Sequence, residues 1–168
     1  MPYLALALWH RLGLDRLLAE LLPAGRESVE WAQVAALLTV ARFCAQGSEL
    51  GVAEHWYDTT ALDDLLGLDS SLVNDARLYR ALDHIGAHKD RLCAYLMERY
   101  RQLFGVRFEF LLYDVTSTYF EGQAEGNPQA QRGYSRDHRS DCKQVCIGLV
   151  CTPEGLPLAF ESRATAPT

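Results

Sequence analysis

The sequence predicts an α+β fold in which a helical region precedes three antiparallel strands. Apolar residues recur at helical spacing through the first hundred residues, and the pattern changes to aromatic and β-branched residues after Gly105. A Pro-Glu-Gly turn at 153–155 then indicates a hairpin, because proline presets φ and glycine accepts a positive φ. We therefore expect a helical domain over 1–105 and a strand-rich domain over 106–168.

The helical region divides at residues that stop or start helices. The stretch LALALWHRLGLDRLLAELLP keeps helical spacing up to Pro23, which predicts one helix. Ser28 is a candidate cap for the next helix, and because that helix is apolar nearly all round we expect it at the centre of the core. Ser48 and Asn74 are candidate caps for the following segments. The last helix, KDRLCAYLMERYRQLF, should end at Gly105.

The second region is predicted to be a three-strand meander. RFEFLLYDVTSTYFEG forms the first strand, which is expected to carry Asp114 to its far end, where hydroxyl residues follow. KQVCIGLVCT forms the second strand and LPLAFES the third. No crossover helix is evident between them, so neighbouring strands should pair antiparallel.

Composition limits the class of protein. A chain that is 49% hydrophobic and 23% charged is not disordered, and its net charge of −6 excludes a chain that is basic throughout. No apolar run reaches the roughly 18 residues of a membrane span, and the N-terminus lacks the features of a signal peptide. The five cysteines form no CxxC pair, and we interpret them as reduced thiols. We therefore expect a cytoplasmic protein with no membrane partner.

Charge is unevenly distributed along the helical region. The stretch 49–75 is acidic and has no Lys or Arg, whereas 77–101 holds six bases against three acids. Such asymmetry can steer a polyanion to one face, which makes Arg77 and Arg80 candidate DNA-binding residues. The alternative is two solvated helix faces with their own counter-charges.

The connection 123–141 is long for a hairpin loop, and loops of this length are usually functional or mobile. It follows the strand that carries Asp114, and its end interleaves basic and aromatic residues. That composition suits a phosphate backbone and unpaired bases. A solvated loop whose Arg–Asp pairs satisfy each other is the alternative. The candidate DNA-binding residues are Arg132, Tyr134, Arg136, His138, Arg139 and Lys143.

Asp114 is the candidate metal ligand. A carboxylate on a rigid strand among hydroxyls suits Mg²⁺, which takes oxygen ligands and uses few protein carboxylates. Two such ions about 3.5–4 Å apart can hold the attacking and leaving oxygens of a phosphoryl transfer, but that site needs at least one more carboxylate. An aspartate that caps the following turn is the alternative. Thr116 stands where the aspartate-nucleophile phosphatases have a second Asp, which argues against that class.

Two stretches in this order resemble insertion-sequence transposases of the DDE type, a bacterial group with an RNase H-like, retroviral-integrase-like catalytic fold. They are YDVTSTYFEG and RGYSRDHRSDCKQVCIGLVCTPEGLPLAFE; the resemblance covers 108–161, and the helical region is similar to the family's N-terminal part. The resemblance implies that Asp114 is the catalytic first acid of three metal ligands, with Mg²⁺ or Mn²⁺ as cofactor and insertion-sequence end DNA as partner. The three strands would be the first of an RNase H-like catalytic domain.

The resemblance stops after Glu161. The family continues through a Gly-Asn segment to a second catalytic Asp and later to a Glu, whereas this chain reads ESRATAPT, so neither acid has a matching position. We expect a truncated transposase that is inactive alone in metal-dependent DNA cleavage and strand transfer. The alternatives are an inhibitory module that binds DNA, a full-length transposase or a second copy of itself, and a pseudogene product without function.

Overall fold

The computed structural model describes residues 1–23, 25, 29–108, 111–133 and 139–164. In these residues the protein is α+β, as predicted, with seven α-helices followed by a three-stranded antiparallel sheet. The chain divides into two compact units, Met1–Leu92 and Cys93–Thr168.

The first unit is built from short helices around one central helix. A π-helical turn, Val52–Trp56, and two 3₁₀ turns, Tyr57–Thr59 and Ser70–Leu72, connect the later helices. The helices are α1 (Pro2–Leu12), α2 (Leu14–Leu21), α3 (Trp31–Cys44), α4 (Glu49–Gly51), α5 (Leu62–Leu66) and α6 (Asp75–Gly86).

The central helix is α3, as its sequence predicts. It packs against α1, α2, α5 and α6, so an apolar side chain meets a neighbouring helix on nearly every side. Among its buried residues, Ala35 and Leu37 have no exposed surface. The buried set is Trp31, Val34, Ala35, Ala36, Leu37, Leu38, Val40 and Ala41.

Two of the predicted caps are confirmed. The Ser48 hydroxyl accepts a hydrogen bond from the Gly51 N–H at 3.1 Å, and Asn74 Oδ1 accepts from the Arg77 N–H at 2.9 Å. Each bond satisfies an N–H in the first turn of its helix that has no partner within the helix. Ser28 lies outside the described residues.

The prediction of one helix up to Pro23 is wrong, because the chain breaks at Gly13. This residue has φ 73° and ψ 22°, a left-handed conformation, and its N–H donates to the His10 carbonyl at 2.9 Å. Glycine takes this conformation without the Cβ clash that other residues meet, so it ends α1 and lets α2 start again at Leu14.

The last helix, α7 (Lys89–Phe104), ends at Gly105 as predicted, with φ 63° at the glycine. The sheet follows in the order β1-β2-β3, with each neighbouring pair antiparallel. The predicted hairpin turn is confirmed, since Gly155 has φ 86° and its N–H donates to the Thr152 carbonyl at 2.9 Å. The strands are β1 (Leu112–Phe120), β2 (Lys143–Cys151) and β3 (Pro157–Ala164).

The first strand starts at Leu112, later than predicted, so Asp114 is its third residue. The strand then continues to Phe120, so Asp114 does not lie at its far end. The residues that follow include Val115, Thr116 and Thr118, and β-branched side chains fit a pleated surface and extend the strand. Glu109 and Phe110, which the prediction included in the strand, lie outside the described residues.

Part of the core of the second unit lies between the last helix and the sheet. Tyr100, Val106 and Leu158 form a buried cluster, and a few half-buried apolar side chains pack against it. In contrast, the side chains of Leu112 and Tyr113 are 56% and 57% exposed. Both faces of the sheet are therefore open near the start of β1 among the described residues.

We expect Gly13→Ala to lower the free energy of unfolding by about 1 kcal/mol, because alanine is strained at a positive φ. Urea denaturation followed by circular dichroism measures the loss. Gly47→Ala is the matched control, since Gly47 has no positive φ and an added Cβ meets nothing within 4 Å. Equal losses in the two variants would contradict the assignment of strain to Gly13.

Candidate functional site

Asp114 lies on a paired strand with its side chain exposed to solvent. It stands opposite Leu149 of β2, which in turn stands opposite Phe160 of β3. Directly opposed residues in antiparallel strands point to the same face, so these three side chains share one face of the sheet. The ladder fixes the backbone of Asp114, while its carboxylate remains in water.

Among the described residues, the neighbours of Asp114 on this face include hydroxyl residues but no second carboxylate. Thr116 and Thr118 are the next residues of β1 on the same side, because side chains alternate along a strand. Glu161 belongs to the row of Val115 and therefore points to the opposite face. In the described part of the chain, no group of three or more His, Cys, Asp or Glu residues could hold a metal ion.

The donor set around Asp114 therefore does not fit a divalent metal site by itself. Mg²⁺ needs about six oxygen ligands in a near-octahedral arrangement, and a two-metal centre needs more than one carboxylate. One exposed aspartate flanked across the sheet by Leu149 and Phe160 supplies a single ligand group.

A second feature lies at the other end of β1. A cavity of about 180 Å³ opens next to Phe120, where the strand ends, and Lys143 stands directly opposite that residue at the start of β2. Three of the predicted DNA-binding residues line the cavity, together with two acids. The charged lining residues are Glu121, Arg132, Arg139, Asp141 and Lys143.

Gln144, which is not among the predicted site residues, binds two residues of the loop beside this cavity. Its side chain is fully buried, and its Nε2 donates to the carbonyls of Gly133 and Arg139, each at 3.0 Å. Its backbone also forms a bridge with Gln131. The only sequence signal for this role is a second polar residue, after Lys143, at the start of a strand that is otherwise apolar, since the partners of Gln144 are backbone groups of the loop.

Arg139 forms a bidentate ion pair with Asp141 inside the cavity lining. Its Nε and one terminal nitrogen donate to the two carboxylate oxygens, both at 2.9 Å, and its guanidinium lies 4.7 Å from the centre of the Tyr119 ring. The hydrogen bonds from Arg139 lower the pKa of Asp141 to about 2, and the same bonds raise the pKa of Arg139. The charge of Arg139 is therefore largely balanced by Asp141.

Arg132 and Lys143 contribute the remaining positive charge of the lining. Neither forms an ion pair with another described residue. Arg132 is exposed and Lys143 is half-buried, so both cations are accessible to an anion in the cavity. The predicted residues Tyr134, Arg136 and His138 lie outside the described residues.

The cavity is remote from Asp114, although the loop follows the strand that carries this residue. Phe120 lies six positions along the extended strand from Asp114, which corresponds to about 20 Å. The expected proximity assumed that the strand ends at Asp114. Because β1 continues to Phe120, the basic lining and the carboxylate lie at opposite ends of one strand.

The two candidates in the first unit have different environments. Arg77 is half-buried on α6, and its guanidinium donates to the Leu72 carbonyl, which ties α6 to the preceding turn. Arg80 is exposed on the same helix. The charge of Arg80 is therefore more accessible to DNA than that of Arg77, whose guanidinium already binds the Leu72 carbonyl.

Comparison of the chain with protein-family models, with curated proteins and with solved structures gives no match. None of the helices in the described residues is both long enough and apolar enough to span a bilayer.

We expect the carboxyl group of Asp141 to titrate with a pKa of about 2, which an NMR pH titration of its carboxyl carbon measures. An unperturbed aspartate has a pKa of about 3.9, so the ion pair adds stability above that pH and loses it as the pH falls toward 2. Arg139→Gln should return the pKa to its ordinary range. Arg132→Gln is the control and should leave it low; the same rise in both variants would contradict the pairing.

Proposed function

We propose that this chain carries the first part of a DDE-type insertion-sequence transposase and that these 168 residues bind DNA without cleaving it. The observation that carries the proposal is the grouping of Arg132, Arg139 and Lys143 around one cavity at the end of the strand that bears Asp114. In this proposal the chain acts in the cytoplasm, on the end DNA of the element.

The cavity lining supports binding of a phosphate backbone. Basic side chains around a concave surface contact phosphate oxygens. The Arg139 guanidinium also lies over the Tyr119 ring beside the cavity, and arginine and aromatic side chains are the groups on which unpaired bases stack. Asp141 and Glu121 in the same lining reduce the positive potential. We therefore expect moderate affinity that depends strongly on salt, as for other contacts dominated by phosphates.

The resemblance supplies the catalytic part of the proposal. It implies an RNase H-like domain in which Asp114 is one of three acids that hold Mg²⁺ or Mn²⁺, and an antiparallel meander with an acid on its first strand is compatible with that domain. The metal would activate the attacking oxygen of DNA cleavage and strand transfer. Because the described residues bring no second acid to Asp114, the other ligands would have to come from outside them.

DNA binding is tested by fluorescence anisotropy with labelled single- and double-stranded oligonucleotides over a series of salt concentrations. We expect the double variant Arg132→Gln/Lys143→Gln to bind more weakly. It should also reduce the slope of log affinity against log salt by about 1.8 on duplex DNA, if each cation neutralises one phosphate.

Arg16→Gln is the control for this experiment, since Arg16 is an exposed arginine of α2 that does not line the cavity. It should change the net charge without changing the salt slope. Binding by the wild-type chain that is insensitive to salt, or an equal loss in the control, would refute the assignment of DNA binding to the cavity.

The absence of cleavage is tested with end DNA of the element in the presence of Mg²⁺ or Mn²⁺. We expect the chain alone to give no cleavage or strand-transfer product above the no-protein background, because one carboxylate cannot hold two metal ions. Asp114→Asn should be indistinguishable from the wild type in this assay. Product formation by the wild-type chain that disappears in Asp114→Asn would show that the site is complete without further acids.

A second candidate function is inhibition of a full-length transposase. Two observations favour it: the basic cavity lies away from Asp114, and the described residues bring no further metal ligands to that carboxylate. A chain that binds end DNA without cutting it would compete with the transposase for that DNA. Addition of this chain to an active transposition reaction should then lower the product yield, and Arg132→Gln/Lys143→Gln should relieve the inhibition.

A further inference from the structure

Among the described residues, the backbone groups on the outer edge of β1 form no hydrogen bond with another strand. The bonds of Gln144 show which residues of β1 these groups belong to. Both the N–H and the C=O of Gln144 bond to Gln131, on the side away from β1. Because peptide groups alternate between the two sides of a strand, Gln144 exchanges no backbone bonds with Tyr119, its opposite residue in β1. The residues of β1 whose N–H and C=O point away from β2 are therefore Tyr113, Val115, Ser117 and Tyr119.

This edge has one feature that discourages strand pairing, the charged side chain of Asp114, and lacks the others. β1 contains no proline, no lysine and no bulge, and its register with β2 runs unbroken over nine residues. Among the described residues, no other strand pairs with this edge. It is a long, regular edge of β-branched and aromatic residues, which is the kind of edge that pairs with another strand.

The opposite edge of the sheet, β3, is protected. It begins with Pro157, its register with β2 shifts between Val150 and Cys151, and it carries the ion pair of Glu161 and Arg163. Proline, a bulge and charged side chains are the devices that discourage edge pairing. The contrast singles out β1 as the edge available for association.

The sequence of β1 is nearly symmetric about Thr116. If two copies of LYDVTSTYF pair antiparallel with Thr116 opposite Thr116, similar or compatible side chains meet in each row. All nine residues pair in this register, and the outward-pointing residues meet one another. The opposed pairs are Leu112 with Phe120, Tyr113 with Tyr119, Asp114 with Thr118, and Val115 with Ser117.

Neighbouring registers are less favourable. An axis at Asp114 would place the two carboxylates directly opposite each other, and like charges in that position destabilise a strand pair. Axes at Val115 or Ser117 leave part of the strand unpaired. The register centred on Thr116 alone uses the whole strand and opposes no like charges.

We propose that β1 pairs with β1 of a second copy of this chain about a two-fold axis at Thr116, which joins the two sheets into one of six strands. Each Asp114 then lies beside Thr118 of the other copy. The two aspartates are about 14 Å apart, four residues along the strand and one strand across, so the pairing does not create a shared metal site. The inference uses neither the cavity nor DNA, and it stands or falls separately from the proposed function.

Thr116 is the position for a charge-swap test, because each variant opposes itself across the axis. We expect the wild-type chain to show a concentration-dependent monomer–dimer equilibrium in analytical ultracentrifugation. Thr116→Lys and Thr116→Glu should each be monomeric, since like charges meet at the centre, and an equal mixture of the two should dimerise. Ser162→Lys is the matched control: Ser162 is exposed in the same cross-strand row but on β3, and this variant should dimerise like the wild type.

A disulfide test keeps the proposal falsifiable if the charged variants fail to fold. In this register the two Thr116 residues form a non-hydrogen-bonded pair, with Cα atoms about 4.5 Å apart, within reach of a disulfide. Oxidised Thr116→Cys should give a dimer band on a non-reducing gel above the background of the native cysteines, and Ser162→Cys should not. A wild-type chain that stays monomeric at high concentration overturns the proposal, as does a dimer that neither Thr116→Lys nor Thr116→Glu weakens. Failure of the mixed pair to associate, together with no crosslink at Thr116, overturns the register.

Discussion

The register between β1 and β2 is the constraint on which every candidate feature of the second unit depends. It places Asp114 opposite Leu149 on one face, and Phe120 opposite Lys143 at the edge of the basic cavity. Because side chains alternate with a period of two, a slip of one residue would turn Asp114 to the other face and displace Lys143 from that cavity. The same register decides which backbone groups of β1 point away from the sheet.

Two residues on one face of β2, Gln144 and Gly148, contact the chain on either side of that strand. The buried amide of Gln144 donates to the carbonyls of Gly133 and Arg139, which ties these two residues to the start of β2. Further along, Tyr113 lies across Gly148, where an added Cβ would come within 2.5 Å of its hydroxyl. An apolar residue in place of Gln144 could not donate these hydrogen bonds, and a larger residue in place of Gly148 would collide with the Tyr113 ring.

Sequence patterns predict the type and order of the helices and strands better than the residues at which they begin and end. Local chemistry, which is visible in the sequence, predicts three of their features. These are the burial of α3 on nearly every side, the helix cap at Asn74 and the end of α7 at Gly105. The break at Gly13 was missed because apolar residues keep helical spacing on both sides of it. The position of Asp114 near the start of β1 differs from the predicted far end, because the strand continues through Thr116 and Thr118, and threonine suits a pleated strand.

The candidate site was predictable only where it depends on neighbours along the chain. The ion pair of Arg139 and Asp141 joins residues two apart, and the alternative of a loop whose Arg–Asp pairs satisfy each other anticipated it. The distance between the cavity and Asp114 depends on how far β1 extends. The contacts of Gln144 depend on where the loop returns to the sheet. Neither of these long-range arrangements has a local sequence signal.

The environment of Asp114 also limits what can associate with this sheet. A partner that covered the apolar side chains of Leu149 and Phe160 would take the Asp114 carboxylate out of water, and a buried carboxylate is costly unless it is paired or binds a metal. A covering element would therefore have to bring a cation or further metal ligands with it. Edge pairing through β1 avoids this cost, because it satisfies backbone groups and leaves both faces open. Association at the edge and completion of a metal site on the face are thus physically compatible on one strand.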